Sequence, residues 1–475
     1  MPPSDLIGHG YDDLSIGQTA SLERICKDND LIVFAHASGN LNPRHLPGLA
    51  EKVTGEKPVA PAMWGGSLFS ALLGNVLPGP GTAYLQQTLN FHNRVYPGDV
   101  LTATVTVRDK RPDRRVDLEC RLTRNDGTLI ADGVAEVKAP AMSLKADDIT
   151  LPSLALQKRG KFERLLAACD GVPPMPTAVV APTDRNSLGG AWEATKARLI
   201  EPILIGPESQ IRAVAAEIGW DLADVRILAT PDDHAAAARA VALIHEGSAA
   251  AVMKGNIHSD EVLKHVTKGD GGLRAGRRIS HVFVLDVPGR EGPLLITDAA
   301  INIAPDLMTK ADIIQNAIDL ARAIGLDQPR VAILSAVETV NPAIPSSLDA
   351  AILSKMAERG QIKGGIVDGP LAMDNAVDIG AAKTKGIAGM VAGHADVLVV
   401  PNLEAGNMLA KQLVFMSDAD TGGLVVGAKA PVMLTSRADD EDARLMSAAL
   451  AVLYSHWMRT GQCLASAWPV QVTGA

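Results

Sequence analysis

The spacing of apolar residues changes once along this chain, between residues 139 and 160, and that change limits the folds open to it. Before it, "VLTATVTVR" and "VDLECRLTR" alternate apolar and polar residues with period two, and "NDG" supplies turn residues beside them. Upstream, "MWGGSLFSALLGNVL" has the apolar spacing of one buried helix. A helix followed by an antiparallel meander predicts an α+β domain over residues 1–140. The segment "APAMSLKADDITLPSLALQKRG" carries two prolines and scattered charge, which marks residues 141–158 as a linker. Beyond it, apolar runs such as "TAVVAPT", "EPILIG", "RVAILSA" and "ADVLVVPN" alternate with amphipathic stretches such as "DDHAAAARAVALIHEG". Strands buried on both faces read as near-continuous apolar runs. Residues 159–468 are therefore expected to form an α/β domain, a mostly parallel sheet with helices on both faces. The pair "RRISHVFVLDVP" and "GPLLITDAA" is expected to be an antiparallel insertion in it.

Composition excludes several classes. With 47% hydrophobic and 21% charged residues, a chain of 475 residues is globular and long enough for two or three domains. A formal charge of −9 argues against nucleic acid as a general partner, so an anionic substrate would need a local cationic pocket. The four cysteines, Cys26, Cys120, Cys169 and Cys463, form no metal-ligand or CxxC pattern and read as reduced thiols. No apolar run approaches the roughly 18 residues that span a bilayer. The acidic start, "MPPSDLIGHGYDDL", lacks the order of a signal peptide. A cytoplasmic protein with no membrane contact is expected.

Several loops after the apolar runs of the second domain carry polar clusters. Asp184, Arg185, Asn186 and Ser187 follow "TAVVAPT", and Lys254, Asn256 and His258 follow "AAAVM". Asp298, Asn302 and Asp306 follow "LLIT", Asn402, Glu404 and Asn407 follow "ADVLVVP", and Ser436, Arg437 and Asp439 follow "APVMLT". Ligands of doubly wound sheets bind beyond the carboxyl ends of the strands, where helix starts and basic side chains favour anions. A phosphate-bearing ligand at one shared edge is the expectation. A single loop of this kind reads equally well as a helix cap.

The motifs "LLITDAAINIAPDLMTKADIIQNAIDLARAIG", "VDGPLAMDNAV", "ADVLVVPNLEAGNMLAKQLVF" and "VMLTSRAD" closely resemble the phosphate acetyl/butyryltransferase family over residues 160–465. That resemblance implies an isocitrate dehydrogenase-like fold of two α/β subdomains with a cleft between them. It implies an exchange of an acyl group between CoA and phosphate, both as substrates, with no metal and no resident cofactor. Ser436 would donate to the carbonyl oxygen and Arg437 would hold the phosphate. Lys254, Asp298, Asn302, Asn402, Glu404, Asn407 and Arg185 are the further substrate-binding candidates. The thiolate is the nucleophile, so a carboxylate base is expected near the Ser-Arg pair. Asp442 and Asp439 remain open as that base, because Ala443 stands where acetyl-type members place an aspartate. Phe415 replaces an arginine those members carry, and both departures lean toward the butyryl-type branch. "GLRAGRRIS", with Arg274, Arg277 and Arg278, reads as a solvated basic turn or a contact for CoA phosphates.

In the first domain, "SGNLNPRH", "LPGPGTAYLQQTLNF" and "VYPGDVLTATVTV" resemble the MaoC-like hot-dog hydratases, in which an antiparallel sheet wraps a long helix. The resemblance places His45 at the catalytic histidine and Asn40 at the catalytic aspartate. A neutral amide cannot accept the proton that a general base must take. A second departure, Pro61–Ala62 in place of a His-Gly pair, removes an N–H and adds a methyl group at the helix start. Enoyl-CoA hydration is therefore expected to be weak or lost. The alternatives are an intact bifunctional enzyme, or a domain that only binds acyl-CoA or holds an oligomer together. Both resemblances imply a homo-oligomer.

Overall fold

The computed structural model describes residues 6–146, 160–435 and 441–468. The chain divides into two compact units, residues 1–156 and 157–475.

In the first unit, five strands form one antiparallel sheet: β1 (Thr19–Ile25), β2 (Ala83–Phe91), β3 (Val100–Arg111), β4 (Arg115–Arg124) and β5 (Leu129–Lys138). Their order is β1-β3-β4-β5-β2. Helix α1 (Asp28–Ser38) leads into the "SGNLNPRH" loop, and helix α2 (Ala62–Asn75) packs on the inner face. Period two is visible in the burial: Leu101, Ala103, Val105 and Val107 of β3 and Val116, Leu118, Cys120 and Leu122 of β4 face one way and are buried. They meet Trp64, Leu68, Phe69, Leu72 and Leu73 of α2 in a single core. Gly65 and Gly66 let the helix approach the sheet, because a Cβ on either would sit 3.0 Å from Leu122 or Leu89. The expected helix wrapped by an antiparallel sheet is what the structure shows.

The second unit is built on one sheet of eleven strands. In chain order they are β6 (Met175–Val180), β7 (Ile200–Gly206), β8 (Arg226–Ala229), β9 (Ala251–Lys254), β10 (Ser280–Asp286), β11 (Leu294–Thr297), β12 (Arg330–Leu334), β13 (Ile366–Leu371), β14 (Val397–Val399), β15 (Asp420–Val426) and β16 (Val432–Met433). The spatial order is β8-β7-β6-β9-β16-β15-β10-β11-β14-β12-β13. Each outer wing is parallel throughout, and the centre is antiparallel at β16/β15, β15/β10 and β10/β11. The expected antiparallel insertion is thus the hinge line of the whole sheet. Three successive reversals turn the second wing against the first. The strands of the two wings therefore end on opposite edges, which corrects the expectation that all five polar loops share one edge. The helices used below are α3 (Lys161–Ala167), α4 (Arg185–Lys196), α5 (Ser259–Thr267), α6 (Leu307–Ala323), α7 (Leu403–Met416) and α8 (Glu441–Thr460). Helix α6 is the apolar core helix its spacing predicts, with Ile313, Ile314, Ala317, Ile318, Leu320 and Ala321 buried. Among the described residues no helix is long and apolar enough to cross a membrane.

Candidate active site

Where the wings meet, a cavity of about 590 Å³ opens over the central strands. Its walls come from both wings. His281 and Phe283 lie two apart on β10 and so share one face, with their rings 4.5 Å apart and edge to face. Helix α7 contributes Leu403, Asn407, Ala410, Lys411 and Val414 at helical spacing. The first wing contributes Lys254, the last residue of β9, and Thr435, two residues after β16.

Thr435 is fixed from two sides. The Lys254 ammonium donates to its carbonyl oxygen at 3.0 Å, and the Arg444 guanidinium of α8 donates to its hydroxyl at 2.7 Å. Both cations are buried, Lys254 to 2% exposure and Arg444 to 3%. Gly190 of α4 makes room for Arg444, since a Cβ there would come within 2.4 Å of its Cδ. Among the described residues, the lining includes Lys254, Lys411 and His258 and no carboxylate. A chain of net charge −9 thus holds a locally cationic cavity.

His281 is the unusual group. It is 1% exposed, and neither ring nitrogen has a hydrogen-bond partner. Burial pushes the imidazole down to about 4, so it is neutral near pH 7. Gly423 on the neighbouring strand accommodates the ring, because a Cβ there would lie 2.8 Å from Nε2. The His281 N–H donates to Asp298 Oδ1 at 3.2 Å, and its carbonyl accepts from the Thr297 hydroxyl at 2.9 Å.

Comparison with known proteins bears on this unit first. The family described as "Phosphate acetyl/butaryl transferase" matches residues 232–452. A phosphate acetyltransferase of Rhizobium meliloti is 58% identical over 305 residues, covering 64% of this chain and 96% of the relative. The chain belongs to the phosphate acetyl/butyryltransferase family. It is a phosphate acyltransferase. A phosphate butyryltransferase of Clostridium beijerinckii is 44% identical over 62% of this chain and 97% of the relative. The higher identity thus falls to a relative named for acetyl, against the expected lean toward the butyryl-type branch. A branched-chain phosphotransacylase from Enterococcus faecalis V583 superposes with a TM-score of 0.51 at 31% identity, covering 59% of this chain and 99% of that one. An R-hydratase from Pseudomonas aeruginosa matches 32% of this chain and 99% of its own at 36% identity, with a TM-score of 0.31.

The residues expected to act in the transferase unit separate into three groups. Lys254 and Asn407 line the central cavity, Asn407 donating to the Ala299 carbonyl at 3.3 Å. Asp298, Asn302, Asn402 and Arg185 are placed otherwise. Asp298 is a buried hub whose carboxylate accepts from the backbone of Ala300, Ile301 and Asn302 at 3.0 to 3.1 Å. Burial pushes this carboxyl up, while those N–H donors pull the other way. Asn302 gives both amide hydrogens to the protein, to Ile279 O at 3.0 Å and Asp298 Oδ2 at 2.5 Å. It also lines another cavity, of about 380 Å³, with Arg274, Arg277 and Arg278. Asn402 caps α7 by accepting from Ala405 N at 2.9 Å, Glu404 is exposed in the first turn, and Arg185 is exposed at the start of α4. Of the third group, Ser436, Arg437 and Asp439 lie outside the described residues. Asp442, on the first turn of α8, lines an adjoining cavity rather than the central one.

In the first unit, a cavity of about 330 Å³ holds His45, Pro61, Ala62, His92 and Leu122. His45 Nδ1 bonds the Val59 carbonyl at 2.7 Å. Asn40 is exposed and caps its own loop, accepting from Asn42 N at 3.2 Å, and it is not part of the cavity wall. Pro61 occupies the cap of α2, where no donor is required, and Ala62 is the first helical residue and exposed.

Sequence reasoning missed His281, Phe283, Lys411 and Thr421 in the central cavity. Only His281 left a trace, as a single polar residue within the run "SHVFVLD".

Proposed function

We propose that acyl transfer takes place in the central cavity of the second unit, on acyl groups from acetyl to butyryl. A phosphate oxygen attacks the thioester carbonyl and forms a C–O bond. The tetrahedral oxyanion then collapses, the C–S bond breaks, and the departing CoA thiolate takes up a proton. Ser436 donates to the oxyanion, Arg437 and Lys254 hold the phosphate, and Asp442 or Asp439 carries the thiol proton. The charge to be balanced is met by these cations, with no metal or resident cofactor in the scheme. Thr435 carries this assignment: two buried cations pin it to the cavity wall, and the chain runs from it directly into Ser436 and Arg437. The two parallel wings serve as the two subdomains, with substrate between them. In full-length protein, Arg437→Ala is expected to lower phosphate-dependent CoA release by about 10²–10³, the scale for one preorganised transition-state donor. An Arg437→Ala protein with wild-type turnover would remove the assignment.

The first unit, on this proposal, binds acyl-CoA without hydrating it and contributes to a cytoplasmic homo-oligomer. Asn40 supports that, being both an amide and turned out of the cavity. One observation favours retained hydration. Ala62 N–H, at the start of α2, has no partner within the helix, and the His92 ring sits in the same wall with Nε2 3.0 Å from Asp132. A helix start can receive a carbonyl oxygen, and a carboxylate-oriented imidazole can act as a base. Loss of crotonyl-CoA absorbance with full-length protein, abolished by His92→Asn, would decide for this second alternative.

A further inference from the structure

A second cavity, of about 390 Å³, adjoins the central one and shares Val414, Phe415 and Thr421 with it. Its other apolar walls are Phe162 and Leu166 of α3 and Leu445 and Met446 of α8. The two cavities differ in charge. Among the described residues, the central one is lined by Lys254, Lys411 and His258 and by no carboxylate. Among the described residues, the second is lined by Glu163, Asp286, Asp420 and Asp442 and by no lysine or arginine. Asp286 is neutralised by its buried ion pair with Lys161, which also anchors α3 by donating to the Val287 carbonyl at 3.0 Å. Glu163 and Asp442 repel phosphate and the pyrophosphate of CoA from the second cavity, and its apolar walls favour a neutral chain. A thioester carbonyl placed at the shared wall would have its anionic partners on one side and its hydrocarbon on the other.

We propose that this second cavity is the acyl-chain pocket of the transferase, and that it selects uncharged acyl chains longer than acetyl. The proposal rests on transfer taking place in the central cavity. A single methyl group cannot fill such a pocket, whereas each further buried methylene adds favourable transfer energy. The two extra methylenes of butyryl are together worth about fifteenfold in a specificity ratio. Phe162 and Leu166 become specificity-determining residues under this assignment, although they lie more than 260 residues before the Ser-Arg pair.

The test compares kcat/KM for acetyl-, butyryl- and succinyl-CoA with phosphate, using the full-length protein and its Leu166→Trp and Leu445→Trp variants. Leu166 and Leu445 are half-buried in the cavity lining, and an indole at either would occupy the pocket. The wild type is expected to favour butyryl over acetyl by about fifteenfold and to reject succinyl, whose terminal carboxylate meets Glu163 and Asp442. Each folded variant should lose about tenfold on butyryl and keep acetyl within about twofold. An unchanged butyryl-to-acetyl ratio, or equal losses on both substrates, overturns the pocket while leaving the transfer site standing. Should both variants fail to fold, succinyl-CoA used by the wild type as well as butyryl-CoA would overturn it alone. No CoA release from any thioester would instead overturn the transfer site, and the pocket with it.

Discussion

Each of the two units presents a cavity, and the two cavities differ in what lines them. In the first unit, Asn40 is exposed, bonded into its own loop and outside the cavity wall. His92 and Asp132 remain largely open to water, at 41% and 39% side-chain exposure. In the second unit, Lys254 and His281 are almost wholly buried, and His281 has no partner for either nitrogen. Burying a polar group without a partner costs about 1–3 kcal/mol, so a folded chain keeps such a group only where something else benefits. Buried polar groups do not survive without a purpose, and the second unit has kept them.

That contrast can be broken by mutation, starting with the largest effect. Lys161→Met leaves Asp286 buried without its partner, and unfolding of the second unit should become about 3–5 kcal/mol easier, as read by denaturant titration. A stability change below about 1 kcal/mol would mean the pair is solvated. Next, Lys254→Ala should cut phosphate-dependent CoA release by about 10²–10³. An intact rate with a raised KM for phosphate alone would reduce Lys254 to ground-state binding.

The third effect depends on pH. The native His281 imidazole titrates at about 4, and the unfolded one near its usual 6.5. Between those values the unfolded chain binds more protons, so stability falls as pH drops from about 6.5 toward 4 and the loss saturates below that. The difference amounts to on the order of 3 kcal/mol. His281→Gln should flatten that slope in thermal melts taken from pH 7 to pH 4, and an unaltered slope would assign it to other groups. Smallest of all, His92→Asn breaks an exposed pair in the first unit and should cost no more than about 1 kcal/mol. A larger loss would show that the first cavity is built with the same economy as the second.

Much of this was legible in the sequence. The two rhythms are set by which faces are buried, and β3, β4 and the parallel wings show them directly in "VLTATVTVR", "VDLECRLTR" and "ADVLVVPN". Asn40 and His45 could be read because their motif is contiguous. The direction of the wings could not. It depends on β10 pairing with β15, about 140 residues later, and alternation says nothing about strand direction. His281 was hidden because a buried histidine in an apolar run looks like core. Asp298 and Asn302 looked like ligand contacts because their sequence shows polarity but not that the Asp298 carboxylate accepts from both the backbone N–H and the side-chain amide of Asn302. The second cavity was invisible for a simpler reason: its walls come from residues 162–166, 414–421 and 442–446.

The most direct test follows two reactions on one preparation of full-length protein. Phosphate-dependent thiol release from butyryl-CoA is measured beside the loss of enoyl absorbance from crotonyl-CoA, for the wild type and for Arg437→Ala. The account predicts thiol release that falls at least a hundredfold in the variant, with hydration at background in both proteins. Steady hydration that Arg437→Ala leaves untouched, with no phosphate-dependent thiol release in the wild type, would contradict it and move the chemistry to the first unit.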